Sequence, residues 1–241
     1  MPLLDVFSIV SNEEELLPYC LESYVSISDL LGVCSLVDNN STDSTLDIID
    51  SYRDKLPIVL QHHRENANHG VMRTKALQPC KSPYIFYLDA DETFDSTMRD
   101  WLLSEQYKAW GLIGFFKYTT ILNRFHYVEG GNGHTWRMFR NDPGANFPQE
   151  IHTEPQSPQG WGNSILLDPN NSPLLFDHTA TKSWEALWSK GWRYRWAHDA
   201  GIPAVGREGE YIWRVETALG PRKEFNKEFP EDIRRRIFTG P

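Results

Sequence analysis

The chain has 241 residues, 40% of them hydrophobic, with a formal net charge of −9 from 24 basic and 33 acidic side chains. That length and apolar content suit one large α/β domain, alone or with an appendage, and exclude a disordered chain. The acidic balance argues against a nucleic-acid binder, which needs a basic surface excess, but leaves room for a small anionic ligand held by one or two local cations. Cys20, Cys34 and Cys80 form neither a CxxC pair nor a zinc pattern, so reduced thiols in a cytoplasmic protein are expected. The opening MPLLDVFSIVSNEEE lacks a basic n-region, so no signal peptide is expected. No apolar run reaches the roughly 18 residues of a spanning helix, so no transmembrane segment is expected and any membrane attachment would be peripheral.

In chain order, residues 3–10 read as a first strand. A polar turn follows, and a helix runs to about residue 28 with Glu13, Glu14 and Glu15 in its first turn. Residues 31–37 read as a second strand that ends in Asp38-Asn39-Asn40-Ser41-Thr42-Asp43. Thr42 or Asp43 there caps a helix over 44–52. Residues 57–62 form a third strand, 69–77 a helix, and 84–88 a fourth strand running into Asp89-Ala90-Asp91-Glu92. This alternation predicts βαβ units and a parallel sheet, with the carboxyl ends of the strands on one edge. Beyond residue 110 the pattern is less regular. Strands are expected over 112–122 and 134–140, with a Gly-rich loop at 130–133 between them. A structured loop follows over 141–162, then short strands over 164–167 and 174–177 and a helix over 183–200. Trp184, Trp188, Trp192 and Trp196 recur every four residues and form one stripe of that helix, read as a core-facing seam.

Ligands of open α/β sheets bind outside the carboxyl ends of the strands. Three polar clusters fall there: Ser11 to Glu13, Asp38 to Asp43, and Asp89 to Glu92. A turn at Ala90 lets Asp89 and Asp91 approach one site. Their hard oxygens suit Mg²⁺ or Mn²⁺, which bridges the phosphates of a substrate with one or two carboxylates. Charge accumulates on a diphosphate leaving group as a sugar bond breaks, and such a cation stabilises it.

IVSNEEE, VDNNSTDST, ENANHGVMRTKAL and YLDADE, in that order, resemble the family 2 glycosyltransferases with the GT-A fold. The resemblance covers roughly residues 3–100. It implies a Rossmann-like α/β fold, with a parallel-dominated mixed sheet and helices on both faces. It implies that Asp38 contacts the nucleotide base, that Ser11 and Glu13 cradle base and ribose, and that Arg73 reaches the nucleotide or its diphosphate. By the same resemblance Asp89 faces the ribose and Asp91 ligates the metal, with Ala90 between them. Further on, Trp136-Arg137-Met138-Phe139-Arg140-Asn141 and Gln149-Glu150-Ile151-His152 are similar to a bacterial subgroup. Thr153 replaces that subgroup's Glu, and Glu150 is taken as the general base, with Glu154 and Asp142 next. His178, and after it His152, is the expected imidazole ligand of the metal.

These readings give a GT-A domain over 1–181, with a donor half over 1–100 and an acceptor half over 101–181. Residues 182–241 form a helical extension. The expected activity is metal-dependent (Mn²⁺ or Mg²⁺) transfer of a sugar, taken as glucose, from a nucleoside-diphosphate sugar, taken as UDP-linked. The acceptor is a hydroxyl, taken as that of a saccharide, and inversion is expected from the family. A sugar-nucleotide nucleotidyltransferase fits less well, because SNEEE after the first strand would repel a triphosphate. A carbohydrate-binding protein of the same fold without catalysis is the other alternative. Trp161, between Gly160 and Gly162, is expected to be exposed and to stack on a sugar acceptor.

Overall fold

Strand β1 (Leu4–Val10) sends alternate side chains into two different apolar layers, Leu4, Val6 and Val10 into one and Phe7 and Ile9 into the other. A strand of this kind needs cover on both faces, which places it in the middle of a parallel sheet. The computed structural model describes residues 2–64, 69–121, 126–128, 132–148, 154–178 and 226–236. Within them α1 (Leu17–Val25), β2 (Leu31–Asp38), α2 (Thr45–Ser51), β3 (Ile58–His62), α3 (His69–Ala76) and β4 (Tyr84–Tyr87) follow β1. Next come β5 (Glu92–Phe94), α4 (Met98–Leu103), β6 (Leu112–Ile121), β7 (His126–Val128), β8 (Gly133–Arg140), β9 (Ser164–Leu166) and β10 (Leu175–Asp177). Asn226–Glu228 forms β11 and Glu231–Arg234 a short helix, α5.

Strands β3, β2, β1 and β4 lie side by side and all run parallel. β8 inserts antiparallel between β4 and β6, and β9 and β10 pair parallel with β6. The result is the parallel-dominated mixed sheet expected from the sequence. Leu17, Cys20, Leu21 and Tyr24 of α1, Ile49 of α2 and Met98 and Leu102 of α4 fill one layer; Met72 and Ala76 of α3 join Phe147 in the other. Helices therefore cover both faces. All three cysteines are buried and free; burial pushes their thiols up, that of Cys80 to about 12, so they are inert at neutral pH. No helix among the described residues is long and apolar enough to cross a membrane.

Several elements differ from the sequence reading. The helix expected with Glu13, Glu14 and Glu15 in its first turn starts only at Leu17, after a turn in which Asn12 adopts a left-handed φ of 52°. The carboxylate of Asp43 accepts from Thr45 N at 3.0 Å and so supplies the expected cap of α2. Strand β5 and helix α4 are absent from the sequence reading. The predicted helix over 183–200, with its four Trp residues, lies outside the described residues, as does the 130–131 part of the Gly-rich loop. Of the predicted extension, β11 pairs antiparallel with β7, and Phe229 packs edge-on against Phe176 and Tyr118 at 5.7 and 5.1 Å. Arg236 there ion-pairs with the fully buried Asp95.

A buried carboxylate ties the start of the sheet together. Asp5, 1% exposed, accepts from Ser82 N at 2.7 Å, from Ser82 Oγ at 2.8 Å and from Lys81 N. It thereby fastens β1 to the connection entering β4. Gly32 leaves the room for this, since a Cβ there would stand 2.5 Å from Asp5 Oδ1. Asp5→Ala strands these donors in the interior and is expected to lower the unfolding free energy by about 3 kcal/mol in urea denaturation. Asp5→Asn, which keeps one acceptor oxygen, is expected to lose less.

Candidate functional site

Strands β1 and β2 stay paired to Val10 and Asp38, whereas β1 and β4 part after Phe7 and Tyr87. The phenol of Tyr24 fills the opening, donating to Phe7 O at 2.9 Å and accepting from Leu88 N at 3.1 Å. From β1 the chain proceeds to β2 on one side and later reaches β4 on the other. This edge is therefore the topological switch point where open α/β sheets bind ligands.

Two loops are laced together on one side of the crevice. Ser11 Oγ donates to Asn39 O at 3.0 Å, Asn12 N to Ser41 Oγ at 3.0 Å, and Glu13 N to Thr45 Oγ1 at 2.8 Å. Thr42 N donates in return to Asn12 Oδ1 at 2.8 Å. Asn12 and Asn40 take left-handed φ values of 52° and 53°, a conformation asparagine tolerates better than most L-residues. Ser11 and Glu13 thus belong to the framework that shapes the loop. Asp38 lies at its floor, accepting from Ser41 N at 3.2 Å through Oδ1, with His62 Nδ1 3.3 Å from Oδ2.

On the other side, the turn at Ala90 brings the expected carboxylates to the end of β4. Asp89 is gripped by two guanidinium groups, Arg73 from α3 on Oδ1 and Arg137 from β8 on Oδ2 at 2.9 Å. Arg137 also binds Glu92 with both arms, at 2.9 and 2.7 Å, and Lys117 from β6 reaches Glu92 at 2.8 Å and Asp177 at 3.6 Å. Glu92 returns a bond to its own loop by accepting from Asp89 N at 3.1 Å. Both guanidiniums lie over the ring of Tyr87, at 4.7 Å for Arg137 and 5.4 Å for Arg73. Burial pushes the Asp89 carboxyl up, but Arg73 and then Arg137 outweigh it and hold that carboxyl well below the usual carboxylate range. A depressed value means the charge persists through mild acid, and the stabilisation it brings fades only as the pH falls through that depressed value.

The sequence points to Arg73, Asp89 and Asp91 and shows Glu92 only as part of an acidic cluster. It does not disclose the roles of Arg137 and Lys117. A lone Lys inside the apolar strand 112–121 is the available signal, since a buried ammonium needs a carboxylate partner.

The remaining site residues fall into two groups. Glu150 and His152 lie outside the described residues. His178 is fully buried, and its backbone N–H donates to Asp91 O at 2.8 Å, which brings it to the Asp-Ala-Asp turn. Its Nε2 pairs with Thr93 Oγ1 at 2.9 Å, so that nitrogen is committed to β5 and the metal role expected for the ring would have to run through Nδ1. Asp142, a reserve candidate for the base, is held by both arms of Arg140, at 2.6 and 2.9 Å. Trp161 packs against Phe139 at 5.3 Å and donates Nε1 to Pro155 O at 3.2 Å, so it is part of the second apolar layer and not an exposed platform. The exposure expected for it is corrected: its flanking glycines let the loop close onto Gly111, where a Cβ would collide with the Trp161 carbonyl.

Among the described residues no group of three His, Cys, Asp or Glu side chains forms a metal cage. A cation that bridges a diphosphate does not need one, because substrate phosphates and water complete its coordination. Asp91, whose charge acts on Asp89, offers one hard oxygen ligand of the kind such an ion takes.

Residues 5–109 match the model of glycosyl transferase family 2. The chain is 34% identical over 100 residues to the lipopolysaccharide core biosynthesis glycosyltransferase LpsC of Rhizobium meliloti, a match covering 41% of this chain and 35% of that one. It is 33% identical over 93 residues to a poly(ribitol-phosphate) beta-glucosyltransferase of Bacillus spizizenii, covering 36% of this chain and 14% of that one. The matched stretch is thus about a third or less of the length of these relatives. Among solved structures, Staphylococcus aureus TarS 1–349 in complex with UDP-GlcNAc superposes with a TM-score of 0.52 at 13% identity, over 92% of this chain and 74% of that one. The mannosyltransferase PcManGT of Pyrobaculum calidifontis, in complex with GDP-Man and Mn²⁺, superposes with a TM-score of 0.56 at 15% identity, over 90% of this chain and 73% of that one. The fold is that of the GT-A glycosyltransferases.

Because Arg137 and Glu92 are 7% and 1% exposed, removing one strands the other's charge. Arg137→Met is expected to cost about 3–5 kcal/mol of stability in urea denaturation. Adding Glu92→Gln removes the stranded carboxylate and is expected to recover part of that loss. Strictly additive losses in the double variant would show that the two side chains are not coupled.

Proposed function

We propose, from the match of residues 5–109 to the model of glycosyl transferase family 2, that the protein transfers a sugar from a nucleoside-diphosphate sugar to a hydroxyl acceptor. The observation that carries this reading is the arrangement at the switch point. A base-reading carboxylate, Asp38, stands at the end of β2. Across the crevice, Asp89, Asp91 and two arginines stand at the end of β4. One end suits a nucleobase and the other a diphosphate.

In this reading Asp38 accepts an N–H of the base, and the laced loops around Ser11 and Glu13 seat the nucleoside. Arg73, already beside Asp89, is the cation proposed to share its charge with the diphosphate. Asp91, with the donor's own phosphate oxygens, would hold Mg²⁺ or Mn²⁺, which stabilises the charge of the departing diphosphate. Glu150 takes the proton of the acceptor hydroxyl as its oxygen bonds to the anomeric carbon. The bond from that carbon to the phosphate oxygen breaks, and the nucleoside diphosphate leaves with inversion. UDP is the proposed nucleotide, supported by the TarS complex with UDP-GlcNAc. Glucose is the proposed sugar, supported by the name of the Bacillus spizizenii relative. The Mn²⁺ of the PcManGT complex supports the metal.

The test is a screen of nucleotide sugars for release of nucleoside diphosphate, with water as a poor acceptor. UDP-sugars are expected to turn over, chelator to abolish the reaction and Mn²⁺ to restore it. Asp91→Asn is expected to be nearly inactive under the same conditions. Full turnover in excess chelator would end the metal role.

Glu150→Gln is expected to keep UDP affinity in calorimetry while transfer to the acceptor falls by about 10²–10⁴-fold. Transfer at the wild-type rate would move the base elsewhere, with Glu154 the next residue to test.

A further inference from the structure

The carboxylate proposed to read the base is almost fully buried and lies beside a half-exposed histidine. The Asp38 side chain is 3% exposed, whereas that of His62 is 52% exposed and lies 3.3 Å away through Nδ1. The pairing follows from topology: the parallel register of β2 and β3 sets Asp38 beside His62 at the carboxyl ends of both strands. The backbone around the histidine is braced. Lys75 of α3 donates Nζ to His62 O at 2.6 Å, and Gln61 Nε2 donates to Lys75 O at 3.2 Å. His63 N, next in the chain, donates to Asp38 O at 2.7 Å. The backbone that carries the imidazole is therefore held, and the ring stands half exposed beside the buried carboxylate.

We propose that His62 is a specificity-determining residue of the donor site, forming with Asp38 the pair that reads the nucleobase. This rests on the donor reading above and names a residue that the sequence did not suggest. An ionised carboxylate only accepts hydrogen bonds, and it has about four lone-pair positions. Ser41 N and His62 use two of them, which leaves Asp38 free to accept from a base. Uracil offers an imide N–H to such an acceptor. Cytosine offers a bare ring nitrogen at the same position and is repelled. His62 contributes in two ways. Its Nδ1–H holds the carboxylate in one orientation, and its exposed ring forms the wall against which the base lies. Helix α3 links this end to the other, because the same helix carries Lys75 toward His62 and Arg73 toward Asp89.

The experiment is calorimetric binding of UDP, CDP and inorganic pyrophosphate to the full chain and to His62→Ala and His62→Gln, with Mn²⁺ present. His62→Ala is expected to weaken UDP binding about tenfold, the scale of one hydrogen bond to a charged group, and to narrow the preference for UDP over CDP. Pyrophosphate binding is expected to be unchanged, and an unaltered melting temperature checks that the fold is intact. His62→Gln, which keeps an N–H donor for Asp38, is expected to recover part of both losses. An unchanged UDP affinity and UDP/CDP ratio in His62→Ala overturns the proposal while leaving the donor reading in place. Equal loss of pyrophosphate and UDP affinity also overturns it, since the effect would then not lie at the base. A wild-type protein that binds no nucleotide overturns the donor reading and this proposal with it.

Discussion

The charge cluster behind the Asp-Ala-Asp turn holds the crevice in shape. Asp89, Glu92 and Asp177 are neutralised by Arg73, Arg137 and Lys117, and four of these six side chains are buried, Asp89 and Lys117 being partly exposed. Burying charge costs several kcal/mol per ion unless each is paired, so such a cluster is a poor way to gain stability. Its geometric effect is clearer. It joins α3, β4, β5, β6, β8 and β10 at one point and allows the turn after β4 few positions. The antiparallel strands β8 and β6, added after the parallel half, bring the cations to carboxylates that the parallel half supplies.

The proposed donor is an anion, although the chain is net acidic. The overall charge of −9 is a property of the whole surface, whereas a diphosphate experiences the few groups within a Debye length, roughly 8 Å at physiological salt. At the crevice those groups include two guanidiniums stacked on Tyr87, beside Asp89. The strand-one loop, rich in Glu, spends much of its polarity on its neighbour: Glu14 accepts from Ser44 N at 3.0 Å, and Glu14 N donates to Asp43 at 3.2 Å. Acidic residues that look repulsive in the sequence are thus partly loop framework.

The two ends of the crevice are built differently. The proposed base end consists of adjacent parallel strands and a tight loop, with Asp38 and His62 set by register and Ser41 by the loop. The proposed diphosphate end is assembled from residues distant in sequence, with Asp89 and Arg137 48 positions apart. The first needs only neighbouring parallel strands in register, whereas the second forms only when the antiparallel strands are added. Helix α3 bridges them, which makes it the element through which a change at one end reaches the other.

Local pattern in the chain specifies the parallel half of the fold and the polar clusters at its edge. Hydrophobic alternation and the strand-to-helix rhythm are local properties, and turn residues such as Asn12, Asn40 and Ala90 mark where the chain reverses. Asp38, Arg73 and Asp89 are legible for that reason: each stands at the end of a local element with a resemblance to support it. The other contacts need the assembled sheet. Arg137 and Lys117 sit in strands whose sequence does not name their partners, so their ion pairs depend on sheet order, which periodicity does not encode. The committed Nε2 of His178 and the packing of Trp161 on Phe139 are contacts across long sequence separations. Whether a polar or aromatic side chain faces a ligand or a neighbour is settled by what the folded chain places beside it, and one sequence does not contain that information in any local pattern.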